Sequence, residues 1–150
     1  MAHARPDTWR PTPLQELLVR AAIEDGERAR QAWEQWIASA ELGKLDAASR
    51  RILPLLYRNL QRLAVDHPQV NALGNSYRRT WATSQLTMRH LAEIVNAFEE
   101  QGITTMLLKG AALVARYYPD MGTRPMADFD LLVPVQQTDA AIALLNELGW

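Results

Sequence analysis

Apolar residues recur at intervals of three and four through the first two thirds of the chain. This spacing places apolar side chains on one face of an α-helix, so it predicts a series of amphipathic helices. The pattern predicts four of them: one from Pro13 through Ala21, one between Glu27 and Ala40, one from Asp46 to Leu63, and one from Ser76 to Gln101.

Local signals support the boundaries of these helices. Residues 12–15, Thr-Pro-Leu-Gln, form a capping-box pattern with proline at the first helical position. Asp46 is predicted to cap the third helix, and Gly43 and Gly102 to end the second and the fourth. Pro54 lies inside the third pattern, where its missing N–H predicts either a kink or a helix that starts near it.

The last third of the chain alternates between strand and helix patterns. An apolar strand begins at Ile103, a short helix covers residues 111–118 and ends at Pro119, a second strand begins at Asp128, and a last helix runs from Thr138 or Asp139 to a stop at Gly149. The sequence therefore predicts an α+β protein, with a helical region over residues 1–101 and an incomplete core with a mixed sheet over residues 102–150. Two strands do not make a stable sheet alone, so we expect further strands from elsewhere.

Two aspartates one residue apart open the second predicted strand. Side chains at positions i and i+2 of a strand point to the same face, so Asp128 and Asp130 should project together while Phe129 and Leu131 pack behind them. Two carboxylates held in that way suit hard divalent cations, above all Mg²⁺ carrying a nucleoside triphosphate. The alternative is that the pair only caps or solvates the end of a strand.

Composition narrows the classes of function. The net charge of −1 gives no sign of a surface that neutralises many phosphates, so duplex nucleic acid is not an expected partner. The absence of cysteine excludes disulfides and thiolate metal sites. No apolar stretch has the length of a signal peptide or a membrane span, so we expect a cytoplasmic protein without a membrane partner. Trp33, Trp36 and Trp81 fall at helical spacing among apolar residues and are predicted to pack in the core or against other helices rather than to stack on a base.

The stretch from Ile103 to Pro134 resembles the uncharacterised nucleotidyltransferase family of the DNA polymerase beta superfamily. The resemblance rests on Leu-Leu-Lys-Gly-Ala-Ala-Leu before Arg124 and on Asp-Phe-Asp-Leu-Leu-Val after it. The preceding helices resemble the helical N-terminal region of that family. The resemblance implies a Mg²⁺-dependent enzyme that transfers NMP from an NTP to a hydroxyl of a small molecule, peptide or protein, with Asp128 and Asp130 as the metal-binding catalytic pair.

The resemblance also implies a nucleotide-binding segment after the first strand. Gly110 and Ala111 match the glycine and small-residue positions of the family, where the helix start receives the triphosphate. Many members have serine where this chain has Ala111, so only backbone N–H groups remain there. Lys109 and Arg124 are candidate phosphate ligands, one as a point charge and the other as a bidentate fork.

Each of these candidate ligands also has a structural alternative. Lys109 is equally well explained as a surface lysine at the end of a strand. Arg124 is also suited to an ion pair with Asp128 or Asp120 that positions the loop. Gly110 is suited to a tight turn between strand and helix, a role compatible with phosphate binding.

The family has a third carboxylate on a later strand, where it polarises the attacking hydroxyl. Such a strand is not predicted before Trp150. The chain is therefore expected to be an N-terminal fragment, to receive the missing strands from another chain, or to lack the catalysis of the family. The competing hypothesis is a non-catalytic helical interaction or nucleotide-binding module with a vestigial core. A further alternative is a homodimer formed through the open edge of the sheet.

Overall fold

The structure is a computed structural model, and it describes residues 10–118 and 120–150. Those residues form six α-helices, two short strands and two single-turn 3₁₀ helices, so the predicted α+β class is confirmed. The α-helices and strands are α1 Pro13–Ile23, α2 Gly26–Ser39, α3 Ala47–Arg62, α4 Pro68–Glu100, β1 Met106–Leu108, α5 Lys109–Arg116, β2 Asp130–Leu132 and α6 Thr138–Glu147. The 3₁₀ helices are Leu42–Lys44 and Val135–Gln137.

Side-chain caps start two of the helices as predicted. At α1 the Thr12 hydroxyl accepts from the N–H of Gln15 at 3.2 Å, and the Gln15 side chain accepts from the N–H of Thr12 at 2.9 Å. At α3 the Asp46 carboxylate accepts from the hydroxyl of Ser49 at 2.6 Å and from its N–H at 2.9 Å. These hydrogen bonds favour the charged carboxylate and lower the pKa of Asp46 to about 2.

Several helix boundaries differ from the predictions. Helix α2 ends at Ser39, before Gly43, which lies in a 3₁₀ turn instead. Helix α3 runs through Pro54, which excludes a helix start near that residue, one of the two predicted alternatives. Helix α5 covers Lys109–Arg116 rather than residues 111–118. Helix α4 begins at Pro68 rather than Ser76, because Val70 and Leu73 are buried against the first helices and extend its apolar face. The predicted role of Pro119 falls outside the described residues.

Helices α3, α4 and α6 end in the same way. The second residue after each helix has a left-handed backbone, with φ of +51° at Ala64, +69° at Gly102 and +85° at Gly149. In α4 the N–H of Ile103 then reaches back to the carbonyl of Phe98 at 2.8 Å, the bond of a Schellman cap. The predicted stops at Gly102 and Gly149 are therefore confirmed.

The chain forms two compact units, one up to Tyr77 and one from Arg78 onward, and the division falls inside α4. The core of the first unit contains Trp33 and Trp36, both at most 2% exposed, as predicted. Trp81, in the second unit, is 47% exposed, so of the two predicted roles it does not have the one in the core. The buried face of that part of α4 is formed by Thr80, Ser84, Thr87 and Leu91, and Trp81 lies outside it.

In the second unit, β1 and β2 form an antiparallel pair. Within the described residues this pair is the whole sheet, rather than the mixed sheet expected from the sequence. The register sets Leu108 opposite Asp130 and Leu107 opposite Leu131. Phe129 and Leu131 pack with Ile94 and Phe98 of α4 and with α6. The sheet therefore has one face on the helices.

The side chain of Gln137 fixes the approach to β1. Its amide oxygen accepts from the N–H of Thr104 at 2.9 Å, and its amide nitrogen donates to the carbonyl of Gly102 at 3.0 Å. These two bonds tie the segment between α4 and β1 to the turn before α6.

No helix of residues 10–118 and 120–150 has both the length and the apolar character needed to cross a membrane. The predicted division into a helical region over residues 1–101 and an incomplete core over residues 102–150 stays a prediction.

Candidate functional site

The aspartate pair lies at the start of β2. Asp130 is the first residue of the strand, and Asp128 precedes it, so the strand begins two residues later than predicted. Phe129 and Leu131 both pack into the core, as predicted. Alternation along an extended chain therefore directs Asp128 and Asp130 to the opposite side, where Asp128 is exposed and Asp130 is half-buried.

Lys109 meets this pair across the sheet. It is the first residue of α5 and follows Leu108, the ladder partner of Asp130. The Nζ atom of Lys109 lies 3.1 Å from Oδ1 of Asp130. Lys109 also has the left-handed backbone of the strand-to-helix turn, with φ of +47°. The conformation expected of a turn glycine is therefore adopted by the lysine.

Gly110 has a different role, which is to leave room for Arg124. A Cβ atom at Gly110 would stand 3.1 Å from Nη1 of Arg124 and 3.4 Å from Sδ of Met126. The guanidinium therefore lies against the first turn of α5. Its Cζ atom is 5.9 Å from the centroid of the Tyr118 ring, within the range of a cation–π contact.

Ala111 is fully buried and packs with Leu91, Val114 and Met126. Its side chain belongs to the core, so what it offers a ligand is its backbone N–H. The first N–H groups of a helix have no partner within the helix and favour anions. Gly110, Ala111 and Arg124 thus meet at the start of α5, and their role in nucleotide binding stays a prediction.

A hydrogen-bonded turn delivers Arg124 to this position. The Asp120 carboxylate accepts from the N–H of Gly122 at 2.8 Å, and the Asp120 carbonyl accepts from the Thr123 hydroxyl at 2.9 Å. Thr123 is only 2% exposed, so the turn is anchored in the protein interior directly before Arg124. The sequence analysis missed Thr123. The Asp-x-Gly spacing is a turn signal that pointed to this segment.

An open cleft of about 550 Å³ lies beside Asp128. Its walls come from α4, from the segment around β2, from α6 and from Trp150. The Trp150 ring lies edge-on to His90 at 5.6 Å and to Phe129 at 6.0 Å between centroids. The sequence analysis assigned no site role to His90 or Trp150, because nothing in their spacing connects them with the aspartates.

The donor atoms at the pair are carboxylate oxygens. Mg²⁺ prefers such hard ligands and usually binds through one or two carboxylates together with substrate phosphates and water. Asp128 and Asp130 fit that requirement, since both reach solvent. Within residues 10–118 and 120–150, no three His, Cys, Asp or Glu side chains cluster in a way that would hold a metal by themselves. The pair therefore fits a divalent cation that takes its remaining ligands from a substrate or from water.

A helix start beside cationic side chains, facing carboxylates on a paired strand, is typical of proteins that handle phosphate esters with a divalent cation. The family described as uncharacterised nucleotidyltransferase matches residues 45–150, which is more than half of the chain. The chain belongs to this family, so the kind of reaction associated with it is nucleotidyl transfer. The match begins before α3 and includes the long helix α4 as well as both strands. No curated protein and no solved structure matches the chain.

Proposed function

We propose that the protein transfers a nucleoside monophosphate from an NTP, with Mg²⁺, to a hydroxyl of a small molecule, peptide or protein. The observation that carries this proposal is the pairing of Leu108 with Asp130. That register brings the start of α5 next to the carboxylate pair, and the distance of 3.1 Å between Lys109 Nζ and Asp130 Oδ1 measures their proximity.

The triphosphate binds at the start of α5 in this proposal. The backbone N–H groups of Gly110 and Ala111 face the phosphates, and the helix dipole favours negative charge there. Arg124 supports this role because its guanidinium already lies against Gly110. Its planar fork suits two phosphate oxygens at once.

Asp128 and Asp130 hold the Mg²⁺ that accompanies the nucleotide. When bound, this ion offsets the charge that develops on the phosphate oxygens. In the transfer the acceptor oxygen forms a bond to the α-phosphorus. The bond from the α-phosphorus to the oxygen that bridges the α- and β-phosphates breaks, and pyrophosphate leaves. The hydroxyl proton passes to a base, which the family resemblance assigns to a third carboxylate and which we assign to no residue described above.

The cleft beside Asp128 is the proposed position of the organic part of a substrate. Phe129 and Trp150 provide apolar and aromatic walls, and Thr87 and His90 provide polar groups. Pockets of this composition suit a small organic group with a few polar atoms. A non-catalytic module that binds a nucleotide without turnover is the competing proposal, and the test below separates the two.

The test is calorimetric titration of the chain with Mg²⁺-ATP and Mg²⁺-GTP. We expect saturable binding that weakens by about 10-fold or more in the double variant Asp128→Asn/Asp130→Asn, because metal affinity depends on the charged oxygens. The double variant Asp66→Asn/Asp139→Asn removes the same charge at exposed positions outside the pair and should bind normally. Release of pyrophosphate on addition of acceptors then distinguishes an enzyme from a binding module.

Normal binding by a folded Asp128→Asn/Asp130→Asn variant would contradict the proposal. Circular dichroism and thermal melting establish that each variant is folded before it is titrated. Binding without pyrophosphate release, under all acceptors tried, would favour the non-catalytic module.

A further inference from the structure

We propose that Lys109 is an exchangeable counter-ion of Asp130: its ammonium balances the carboxylate in the nucleotide-free protein and moves to a phosphate when Mg²⁺-NTP binds. This inference rests on the proposed function, since it assigns Asp130 to the metal. It adds that Lys109 makes cation binding depend on the nucleotide.

The position of the ammonium is the first step. Its Nζ atom is 3.1 Å from Oδ1 of Asp130, the contact distance of a charge-assisted hydrogen bond. A divalent cation that binds this carboxylate therefore meets a positive charge already there. At such separations two like charges repel each other, so either the cation binds weakly or the ammonium leaves.

The ion pair is easily broken. The Lys109 side chain is 74% exposed and that of Asp130 is 42% exposed. Exposed ion pairs of this kind contribute only about 0–1 kcal/mol, because water and salt screen them. The ammonium is therefore free to exchange its partner at little cost, and a triphosphate at the start of α5 offers a stronger one.

The backbone of Lys109 indicates that this residue has a function. A left-handed conformation is unfavourable for a non-glycine residue, and strained residues of this kind cluster at ligand sites. Lys109 has φ of +47°, although the glycine that would adopt this conformation freely is its neighbour Gly110. The lysine thus occupies this position against its conformational preference, and its side chain reaches Asp130.

The consequence is a coupling between the two ligands. With a bare cation the ammonium has no alternative partner and competes for Asp130. With a cation–nucleotide complex the displaced ammonium gains phosphate oxygens. Lys109 therefore weakens binding of the free cation and strengthens binding of the cation–nucleotide complex. By thermodynamic linkage, the nucleotide raises the affinity for the cation by the same factor by which the cation raises the affinity for the nucleotide.

The test uses Mn²⁺ as the probe, because its free concentration is read directly by electron paramagnetic resonance. Dissociation constants are measured for Mn²⁺ alone and for Mn²⁺-ATP, in the unaltered protein and in Lys109→Gln. We expect Lys109→Gln to bind Mn²⁺ alone about 2- to 5-fold more tightly, as follows from loss of a competing pair worth up to about 1 kcal/mol. Its binding of Mn²⁺-ATP should weaken by a similar factor or more.

The matched control is Lys44→Gln. Lys44 is the other lysine of the chain, it is exposed, and it also forms an ion pair, with Glu41 at 2.7 Å. Loss of its charge should change neither dissociation constant. Lys109→Gly is a second variant, which removes the charge and also the strain of a side chain on a left-handed backbone. It measures the effect of the lost charge on both dissociation constants if Lys109→Gln folds poorly.

Two results separate failure of this inference from failure of the proposed function. If the Lys109 variants bind Mn²⁺ alone as weakly as the unaltered protein or more weakly, while Asp128→Asn/Asp130→Asn abolishes Mn²⁺ binding, the counter-ion role is wrong and the metal pair stands. If Mn²⁺ binding does not depend on the aspartates at all, the metal pair itself is wrong.

Discussion

A glycine at a tight turn usually provides both a left-handed backbone and space for a close contact. Here Lys109 provides the first and Gly110 the second. The left-handed backbone belongs to Lys109, and the missing side chain of Gly110 lets the guanidinium of Arg124 approach the helix. The order Lys-Gly therefore places the ammonium of Lys109 next to Asp130 and leaves space for the guanidinium of Arg124. The contacts of the site therefore depend on atomic positions to within a few tenths of an ångström.

Replacement of Gly110 by alanine tests that close approach. The new Cβ would lie 3.1 Å from Nη1 of Arg124, so the guanidinium must shift slightly while the helix gains a better helix former. We expect a folded protein whose affinity for Mg²⁺-ATP falls by about 2- to 12-fold, the equivalent of about 0.5–1.5 kcal/mol for one displaced hydrogen-bonding group.

The control for this variant is Gly43→Ala, where a Cβ would meet nothing within 4 Å. Both variants are measured by the same calorimetric titration. Unchanged affinity in Gly110→Ala would mean that Arg124 does not contact the phosphates.

At the scale of elements, flanking residues fix the starts of α1 and α3 and the ends of α3, α4 and α6. Asp46 is the clearest case, because one carboxylate binds both the N–H and the hydroxyl of Ser49 at the start of α3. The β-strands behave differently. Each is only three residues long, and β1 is positioned by the side chain of Gln137, which lies far from it in sequence.

The cap at Asp46 predicts a pH dependence of stability. Hydrogen bonds lower the pKa of Asp46 from 3.8 to about 2, so the charged cap stabilises the fold fully above pH 3.8 and loses its effect as the pH falls through about 2. We expect Asp46→Ala to lower the melting temperature at neutral pH and the difference from the unaltered protein to shrink between pH 3.8 and pH 2. Thermal melting by circular dichroism across this range measures the effect.

Asp46→Asn is the companion variant, because asparagine also caps helices but does not titrate in this range. Its melting temperature should lie between those of the other two proteins at neutral pH. A difference between Asp46→Ala and the unaltered protein that stays constant with pH would show that the carboxylate charge has no part in the cap.

At the scale of the whole molecule, stability and the candidate site draw on different residues. The core of the first unit centres on large buried side chains such as Trp33, Trp36, Leu56 and Leu60. The candidate site residues all lie in the second unit, from Lys109 to Asp130. A mutation in the first core should therefore change the free energy of unfolding without a direct effect on ligand contacts.

Leu56→Ala tests this separation. Leu56 is fully buried, so its truncation should lower the free energy of unfolding in urea by about 2–5 kcal/mol. Leu86→Ala, at a position that is 59% exposed, should change it by less than about 0.5 kcal/mol. We expect Leu56→Ala to bind Mg²⁺-ATP with unaltered affinity at a temperature at which it is folded. A large loss of affinity there would show that the first core supports the site directly.

Features that depend on neighbouring residues could be predicted from the chain alone. Helical periodicity, the caps at Thr12 and Asp46, and the stops at Gly102 and Gly149 involve residues within about one or two turns of each other, so their spacing is visible in the chain. The Asp-x-Asp pattern and the Lys-Gly segment also identified the family, since a motif is a local property.

Contacts between residues that are distant in sequence could be read only from the folded protein. Lys109 and Asp130 are 21 residues apart and pair because the register sets Leu108 opposite Asp130. Gln137 holds the segment before β1, and a cleft joins α4 to the side of Asp128. The packing of α4 likewise left Trp81 exposed despite its apolar spacing. These features depend on strand register and on how helices pack, which the spacing of residues along the chain does not specify.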